Sequence, residues 1–457
     1  MGELARVPYR LEGLELFQVG VFEKVRFDFK PIETLEADAK KAEIHLLTGP
    51  NGSGKSTVLY AISDIFKDTR NSAPDSFITA HRFRSDSAYV LFNFEGENGF
   101  FALKVEGADF IENYDIFRWR NDVCLGFQKS RQNHSLDFYR AAKNNYHLTN
   151  KSKYNFAVFA YSGSRSLKQF DINSIKSIDN SPFENSLSFD QSVRPELILQ
   201  WIANNRTQYA LALADRDKDE ASKYEFSLRR ISDFIKDICD LNFEFKLERN
   251  PLQVSLKINE VAFAFDGLPD GLKSIISWVA DLSLRLESIP WADQDKDAFS
   301  QPIILLLDEI DIHLHPKWQR RILPAVQKLL PNAQIFASTH SPFVVGSVED
   351  AWVYRLPEAN QKPTSGIIEG IPSAAGKSYQ LILEEIFGVS EEFDIETEQL
   401  FADFYKERDL VIKNKQISDK FLEIAKKVSS RGEEAQFIIE RELRQVSRLI
   451  SQEIILA

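Results

Sequence analysis

The segment 49–57 restricts the possible folds of this chain more than any other stretch. It reads GPNGSGKST and fits the pattern G-x-x-x-x-G-K-[ST], a loop whose backbone N–H groups surround nucleotide phosphates. Glycines let the backbone wrap closely around an anion. Lys55 is expected to place a positive charge at the β- and γ-phosphates, and Ser56 to ligate Mg²⁺. The expected nucleotide-binding residues of this loop are Asn51, Gly52, Ser53, Gly54, Lys55, Ser56 and Thr57.

The sequence on either side of this loop fits a strand followed by a helix. Residues 44–48 read IHLLT, a short apolar run typical of a buried strand. After the loop, apolar residues recur at helical spacing over 58–66. The N terminus of that helix would point its free N–H groups and its dipole at the phosphates. The context therefore favours a nucleotide site over a glycine-rich turn that happens to end in Lys-Ser.

Composition restricts the class of protein and its surroundings. The chain has 457 residues, of which 43% are hydrophobic and 27% charged, as in an ordinary globular protein with a large core. A net charge of −12 argues against a protein that coats nucleic acid through bulk charge. Two cysteines fit a reducing compartment, and neither a signal peptide nor a membrane-spanning run is recognised. We expect a cytoplasmic protein that makes no membrane contact.

Hydrophobic patterning predicts alternating strands and helices along the chain. Two short strands with a bend at Gly20 are expected over 14–29, and antiparallel strands with a hairpin at 97–99 are expected over 77–127. Residues 128–153 indicate a loop or loose helix, and the Ser/Asn/Asp-rich residues 171–192 a long surface loop. Further strands are predicted at 156–161, 243–247, 252–258, 303–307, 335–338 and 352–356, and helices within 195–241, 272–286, 316–330 and 380–457.

A second motif ends the predicted strand 303–307. Residues 303–309 read IILLLDE, which places two carboxylates at the C-terminal edge of a central parallel strand, beside the phosphates. Asp308 is expected to hold Mg²⁺, usually through water. Glu309 is expected to polarise the attacking water. The pattern is weak alone and strong together with the loop at 49–57.

A third motif is a histidine just after another short apolar strand. Residues 334–342 read QIFASTHSP, and His340 can reach the γ-phosphate and respond to its loss. His313 and His315 lie near Asp311, but no further Cys or His has ligand spacing, so we do not interpret them as a metal cluster. The predicted catalytic residues are therefore Lys55, Glu309 and His340, and the predicted Mg²⁺ ligands are Ser56 and Asp308.

The order of these motifs resembles a known family. More than half of the chain separates Lys55 from Asp308, which is too long for a compact AAA+ module and suits an ATP-binding-cassette head with an insertion. Residues 308–316, DEIDIHLHP, followed by STHSP at 338–342, look like the SMC-like, overcoming-lysogenisation-defect-like ATPases. The resemblance implies ATP and Mg²⁺ as cofactors and an α/β P-loop NTPase head, with a mixed central sheet, an antiparallel β lobe, a helical insertion and a helical C-terminal tail. The implied domain boundaries are 1–165 and 259–379 for the two parts of the head, 166–258 for the insertion lobe and 380–457 for a C-terminal region that contacts partners.

The segment 268–274, LPDGLKS, resembles the signature segment of that family. In those proteins the segment binds the γ-phosphate of ATP held by the other subunit. The resemblance therefore implies that Asp270 and Gly271 bind nucleotide in a head-to-head dimer or higher oligomer. Pro269 stands where the family usually has a serine, so we expect slow hydrolysis. Arg165 is a further candidate near the nucleotide.

The remaining sequence indicates what accompanies the head. It lacks a long coiled coil, the Asp-x-Asp of a TOPRIM nuclease and a His-Asn-His pattern, so we identify no nuclease site. Compact heads of this kind resemble the ATPase subunits of bacterial anti-phage systems such as Septu, PARIS and ATPase-bearing retrons. The implied function is a nucleotide-gated sensor and scaffold that controls a separately encoded effector nuclease, with DNA or a phage component as a further partner.

Two other functions remain open from the sequence. One is a DNA repair or recombination ATPase that binds DNA directly, because small basic groups could form a groove for phosphates. The other is a structural subunit clamped by nucleotide without hydrolysis, which the proline in the signature segment favours. The basic groups are Lys317/Arg320/Arg321, Arg229/Arg230 and Lys426/Lys427.

Overall fold

The computed structural model describes residues 10–32, 41–66, 84–85, 88–95, 101–104, 153–163, 172, 174–358, 364–374 and 376–454. The chain forms two compact units, Met1–Phe387 and Gly388–Ala457. Strands and helices are numbered below along the chain. The predicted hairpin tip at 97–99, nearly all of the predicted loop at 128–153 and Arg165 lie outside the described residues.

A six-stranded mixed sheet forms the centre of the first unit. Every residue of its strand Ile303–Leu307 is buried, because both faces of the sheet are covered and an uninterrupted aliphatic run suits such a strand. The edge strand Ile371–Pro372 pairs antiparallel with Ala351–Arg355, and the other pairs of the sheet are parallel. In spatial order the strands are β14 (Ile371–Pro372), β12 (Ala351–Arg355), β3 (Glu43–Thr48), β11 (Ala333–Ser338), β10 (Ile303–Leu307) and β6 (Ala157–Tyr161).

A five-stranded sheet forms the β lobe predicted from the N-terminal sequence. Its first two strands are antiparallel and are joined by a turn at Gly20, as the bend in the pattern predicted. The pairing of Thr364–Ile368 with Phe22–Asp28 is parallel, and the other pairs of this sheet are antiparallel. In spatial order the strands are β13 (Thr364–Ile368), β2 (Phe22–Asp28), β1 (Leu11–Val19), β4 (Tyr89–Phe94) and β5 (Phe101–Lys104).

Helices and a small third sheet complete the first unit, mostly at the positions that the periodicity predicted. The short helix Pro342–Val345 was not predicted. The third strand of that sheet was not predicted, because Val261–Phe263 is short and exposed. The helices are α1 (Lys55–Ile65), α2 (Pro195–Ala214), α3 (Lys218–Cys239), α4 (Asp270–Ser288), α5 (Pro316–Leu329), α6 (Pro342–Val345) and α7 (Tyr379–Ile382). The strands of the third sheet are β7 (Phe243–Arg249), β8 (Leu252–Ile258) and β9 (Val261–Phe263).

The segment 174–192 has no helix or strand, as predicted. Residues 175–177, 179 and 180 are exposed, as expected of a surface loop, but most of 181–189 is buried, against that prediction. Phe183 and Phe189 are buried, and Ala160 and Ser162 donate backbone hydrogen bonds to carbonyls of the segment at 2.8 and 3.1 Å. The cause is Arg285, a fully buried residue of α4 whose guanidinium binds three carbonyls of the segment. A polar segment can be buried where another element satisfies its backbone oxygens.

The second unit is a small helical unit with its own core, in agreement with the helical tail predicted from the sequence. Its helices begin at side chains that accept backbone N–H bonds, Asp394 before the first and Ser418 before the second. Phe404, Phe421 and Ile439 lie in the core. The helices are α8 (Ile395–Asn414), α9 (Asp419–Ser429) and α10 (Glu433–Ile450). Within the described ranges, we find no helix whose length and apolar character would let it cross a bilayer.

A largely buried polar network lies at the start of β3, the strand that precedes the phosphate loop in the chain. Glu43 accepts hydrogen bonds from Arg10, His45 and Gln334 at 2.5–3.0 Å. Although burial opposes its ionisation, the hydrogen bonds and charges of His45 and Arg10 lower the pKa of Glu43 to about 2. Burial also lowers the pKa of His45, which is fully enclosed between Phe29, Phe336 and Tyr354.

This network predicts that the first unit loses stability on acidification. Below pH 6.5 the unfolded chain protonates His45 more readily than the folded chain. Below pH 4.5 it also protonates Glu43 more readily, so the stabilisation is lost as pH falls toward 2. The contribution of Glu43 is on the order of 2–3 kcal/mol. We expect Glu43→Gln to reduce the decline of Tm between pH 7 and pH 4, and the exposed control Glu349→Gln to leave it unchanged. An equal decline in all three proteins would contradict this assignment.

Candidate nucleotide site

The phosphate loop lies between β3, which ends at Thr48, and α1, which begins at Lys55. Gly54 caps the helix in the left-handed conformation, with φ of 99°. A Cβ atom at this position would clash with the ring of Phe22 and approach Val21 at 2.9 Å. Glycine is therefore required here by conformation and by space. The loop places the N terminus of α1 at the cleft, as an anion site requires.

Lys55 is held inside the loop by the loop's own carbonyls. Its Nζ donates to the oxygens of Gly49 and Pro50, both at 2.9 Å. Burial lowers the pKa of Lys55, and the carboxylates of Asp308, Glu309 and Asp311 oppose that shift. Three acidic groups thus favour the charged form of Lys55, the form that binds phosphate.

Asp308 and Glu309 follow β10 at the predicted edge of the central sheet. The Asp308 N–H donates to the Tyr161 carbonyl of β6 at 2.9 Å, which continues the parallel pairing by one residue. Glu309 adopts a left-handed backbone with φ of 48°. Its N–H donates to the hydroxyl of Ser338, and this hydroxyl donates to Asp308. The turn therefore holds both carboxylates at the end of the strand.

His340 follows β11 and faces the same cleft. The preceding residue, Thr339, donates its N–H to the Leu47 carbonyl at 3.1 Å, so the segment remains paired with β3 up to the histidine. Burial and the charge of Lys55 lower the pKa of His340 below its ordinary value of 6.5. His340 is therefore mainly neutral at pH 7, with one ring nitrogen able to donate and the other to accept.

These three segments converge on one open cleft of about 370 Å³. The cleft brings together the predicted lysine, both carboxylates and the histidine, together with Ser56, the predicted hydroxyl ligand. Two residues of the β1–β2 turn also line it, and the sequence had not indicated them. The lining residues are Gly20, Val21, Asn51, Gly52, Gly54, Lys55, Ser56, Thr57, Asp308, Glu309 and His340.

Asp270 and Gly271 lie outside this cleft. They begin α4 after Pro269, whose backbone caps the helix without a side-chain hydrogen bond. Asp270 is exposed and lies 3.7 Å from Lys273. Gly271 packs against His313, whose carbonyl oxygen would be 2.5 Å from a Cβ atom on this glycine. The signature-like segment therefore does not contribute to the cleft of its own chain.

The groups around the cleft fit a nucleotide phosphate and its metal ion. The Ser53 side chain is fully buried in the loop, and its hydroxyl has no hydrogen-bond partner among the described residues. A buried hydroxyl without a hydrogen bond destabilises the folded state, unless a ligand or a water molecule supplies that bond. Ser56 and Asp308 offer the hydroxyl and carboxylate oxygens that Mg²⁺ prefers. The residues present therefore suit the phosphates of a nucleotide bound with Mg²⁺.

Comparison with known proteins agrees with this site. Residues 44–346 match the family described as "AAA domain, putative AbiEii toxin, Type IV TA system". The chain belongs to this family. The match covers more than half of the chain and includes every residue that lines the cleft except those of the β1–β2 turn.

Several curated proteins are similar to this AAA-domain chain. The Retron Vc95 probable ATPase of Vibrio cholerae serotype O1 biovar El Tor is 23% identical, with 88% of this chain and 85% of that protein covered. Septu protein PtuA of Bacillus thuringiensis is 22% identical, with 81% and 88% covered. The Retron Ec83 probable ATPase of Escherichia coli is 32% identical over 148 residues, and the match spans only 26% of that protein.

Solved structures of SMC heads are also similar to the chain. The SmcHead bound to the C-winged helix domain of ScpA has a TM-score of 0.38 and 14% identity, with 79% of this chain and 97% of that chain covered. The SMC head domain from Thermotoga maritima has a TM-score of 0.37 and 16% identity, with 79% and 98% covered.

Removing the lysine charge is expected to weaken nucleotide binding. In Lys55→Ala the phosphates lose a charged donor in a partly buried site, so the Kd for ATP should rise by about 10- to 100-fold. Lys41→Ala is the matched control, because Lys41 is paired with Asp350 at the surface and does not line the cleft. Calorimetric titration with ATP tests the prediction. Equal affinity in the two variants would show that nucleotide binds elsewhere.

Proposed function

We propose that the chain is an ATPase that dimerises around ATP and acts as the nucleotide-gated sensor and scaffold of a bacterial anti-phage complex, where it controls an associated effector nuclease. The observation that carries the ATPase assignment is the single cleft shared by Lys55, Asp308, Glu309 and His340. Membership of the AAA-domain family and the similarity to two probable ATPases support it. A cytoplasmic location is part of the proposal.

The positions of the side chains suggest how hydrolysis proceeds. Lys55 neutralises charge on the β- and γ-phosphates, and Glu309 takes a proton from the attacking water. His340 contacts the γ-phosphate and loses that contact when the phosphate leaves. Ser56 and Asp308 would hold Mg²⁺, which supplies electrostatic stabilisation of the charge that develops on the phosphates.

Dimerisation is supported by the place of the signature-like segment. Its N–H groups at the start of α4 can bind an anion, yet Asp270 and Gly271 do not line the cleft of their own chain. We infer that they complete the cleft of a second copy, with the nucleotide between the two. In this arrangement, ATP binding changes the oligomeric state, and hydrolysis reverses the change.

Control of an effector nuclease is the role implied by the resemblance to anti-phage ATPases, and the similar proteins are two retron probable ATPases and a Septu protein. The test is co-expression with the products of the neighbouring genes, among which we expect a nuclease, followed by affinity purification with and without ATP. We expect the nuclease to co-purify and its DNA cleavage to depend on the nucleotide state. Lys55→Ala should still bind the nuclease but no longer change its activity with ATP. Recovery of this chain alone from a well-expressed pair would overturn the proposed control.

Direct binding of DNA is the second candidate, and α5 offers the exposed cations that favour it. Lys317, Arg320 and Arg321 are all exposed on this helix, and Arg320 also stacks on Tyr379. Two other basic groups are partly neutralised, since Arg230 pairs with Asp297 and Lys427 with Glu423. A DNA repair ATPase should bind DNA without partners, with an affinity that falls steeply with salt, and DNA should stimulate its ATP turnover.

A further inference from the structure

Ser338 contacts both residues of the acidic pair from behind the cleft. It is the last residue of β11, and its side chain is fully buried. Its hydroxyl donates to Oδ1 of Asp308 at 2.5 Å and accepts the N–H of Glu309 at 2.7 Å. The Ser338 carbonyl in turn accepts the N–H of Ile310 at 3.1 Å. One serine therefore binds three consecutive residues of the turn after β10.

Gly163 contacts Glu309 from the other side of β10, where β6 is the neighbouring strand. It follows β6, and a Cβ atom built on it would lie 2.6 Å from Oε2 and 2.8 Å from Cβ of Glu309. Real Cβ atoms are essentially never found this close to another heavy atom, so any larger residue would displace the glutamate. The close contact includes the Cβ of Glu309, which moves only with the backbone. Because glycine has no side chain, Glu309 can occupy this space.

The backbone of Glu309 explains why such support is needed. A non-glycine residue with φ of 48° is in a sparsely populated conformation, which persists only where surrounding contacts hold it. The Ser338 hydroxyl supplies an acceptor for the Glu309 N–H in that conformation. Ser338 and Gly163 do not line the cleft, so neither is placed to touch nucleotide.

We propose that Ser338 and Gly163 are positioning residues for hydrolysis. Ser338 orients the carboxylate of Asp308 for the metal ion and fixes the backbone of Glu309, and Gly163 makes room for the Glu309 side chain. This inference rests on the proposed ATPase function. Outer partners of metal ligands typically change metal affinity or activity by about 10- to 100-fold when they are removed, although they do not touch the substrate.

Ser338→Ala tests the hydroxyl. Without it, the Asp308 carboxylate can rotate, so the Mg²⁺ concentration for half-maximal ATP turnover should rise by about 10- to 100-fold and kcat should fall. ADP affinity measured in EDTA should stay unchanged, whereas the gain in ADP affinity on adding Mg²⁺ should shrink. Ser338→Thr keeps a hydroxyl and should restore part of both effects if it folds.

Ser283→Ala is the matched control. Ser283 is also fully buried, but its hydroxyl donates only to the Val279 carbonyl within α4. A merely structural role for Ser338 would lower the Tm of both variants and leave the Mg²⁺ dependence as in the wild type. That result would overturn the assignment of Ser338.

Gly163→Ala tests the space for Glu309. We expect kcat to fall at least about 10-fold, with the affinity for Mg²⁺–ADP unchanged, because Glu309 acts in the chemical step and not in binding. Gly267→Ala is the control, since a Cβ atom there meets no atom within 4 Å. Equal kcat in the two variants would overturn the role of Gly163.

Failure of the positioning role can be distinguished from failure of the ATPase assignment. If the wild type does not turn over ATP faster than Glu309→Gln, the proposed hydrolysis fails. The gain in ADP affinity on adding Mg²⁺ still tests Ser338 in that case, because this gain depends on the Asp308 carboxylate and does not require ATP hydrolysis. A normal gain in Ser338→Ala would then overturn the positioning role as well.

Discussion

Glu309→Gln should lower the kcat of ATP hydrolysis by about 100- to 10,000-fold and leave ATP affinity close to that of the wild type. Glutamine has nearly the same shape but does not accept a proton from water at neutral pH. The amide can still occupy the space beside Gly163 and keep the backbone hydrogen bond to Ser338. Single-turnover hydrolysis and equilibrium binding of ATP separate the two effects.

Comparison with Lys55→Ala separates a defect in ATP binding from a defect in the chemical step. Lys55→Ala should fail at the binding step, whereas Glu309→Gln should bind ATP and stop before the chemical step. Equal and negligible turnover in the wild type and Glu309→Gln would favour the structural subunit clamped by nucleotide. Pro269, which supplies no side-chain hydroxyl at the start of α4, would then explain the absence of turnover.

Arg285→Met should destabilise the first unit by about 3–5 kcal/mol, because it leaves the Asp281 carboxylate in the core without its main cation. Both side chains are fully buried and form an ion pair one turn apart on α4. Arg285 also binds the carbonyls of Pro182, Glu184 and Ser192 at 2.6–2.8 Å. The substitution leaves Asp281 with only the Tyr161 hydroxyl and the more distant Arg194, and it removes the donor of three carbonyls.

An exposed ion pair provides the control for Arg285. Lys328→Met removes the partner of Asp237 at the surface and should cost about 0–1 kcal/mol. Urea denaturation followed by tryptophan fluorescence compares the variants, since Trp278 and Trp291 are buried in the first unit. Similar midpoints for the two variants would show that the buried network contributes little to stability.

The sequence predicted the parts of the site that depend on local motifs. The phosphate loop, the acids after β10 and the histidine after β11 each follow an apolar strand, and parallel strands bring such ends to one edge of the sheet. The longer regular elements were predicted because uninterrupted aliphatic runs and helical periodicity are visible in the chain, whereas short elements such as Val261–Phe263 and Pro342–Val345 were not.

Contacts between distant segments could not be read from local patterns. Nothing around Ser338 or Gly163 shows that both contact Glu309, because that depends on which strands are neighbours of β10. Residues 181–192 have the sequence of a surface loop, but much of this stretch is buried because Arg285, about a hundred residues later, binds its carbonyls. Arg285 is visible in the sequence as a charged residue in an apolar stretch of α4, near the signature-like segment, but the carbonyls that it binds are not.

ATP is proposed to bring two copies of the chain together, with the phosphate loop of one copy facing Asp270 and Gly271 of the other. Light scattering of Glu309→Gln after gel filtration, with and without Mg²⁺–ATP, measures this association. We expect a mass close to 52.4 kDa without nucleotide and at least twice that mass with ATP. We expect no increase when Lys55→Ala is added to the same chain. A mass near 52.4 kDa at saturating ATP would show that ATP does not join two copies.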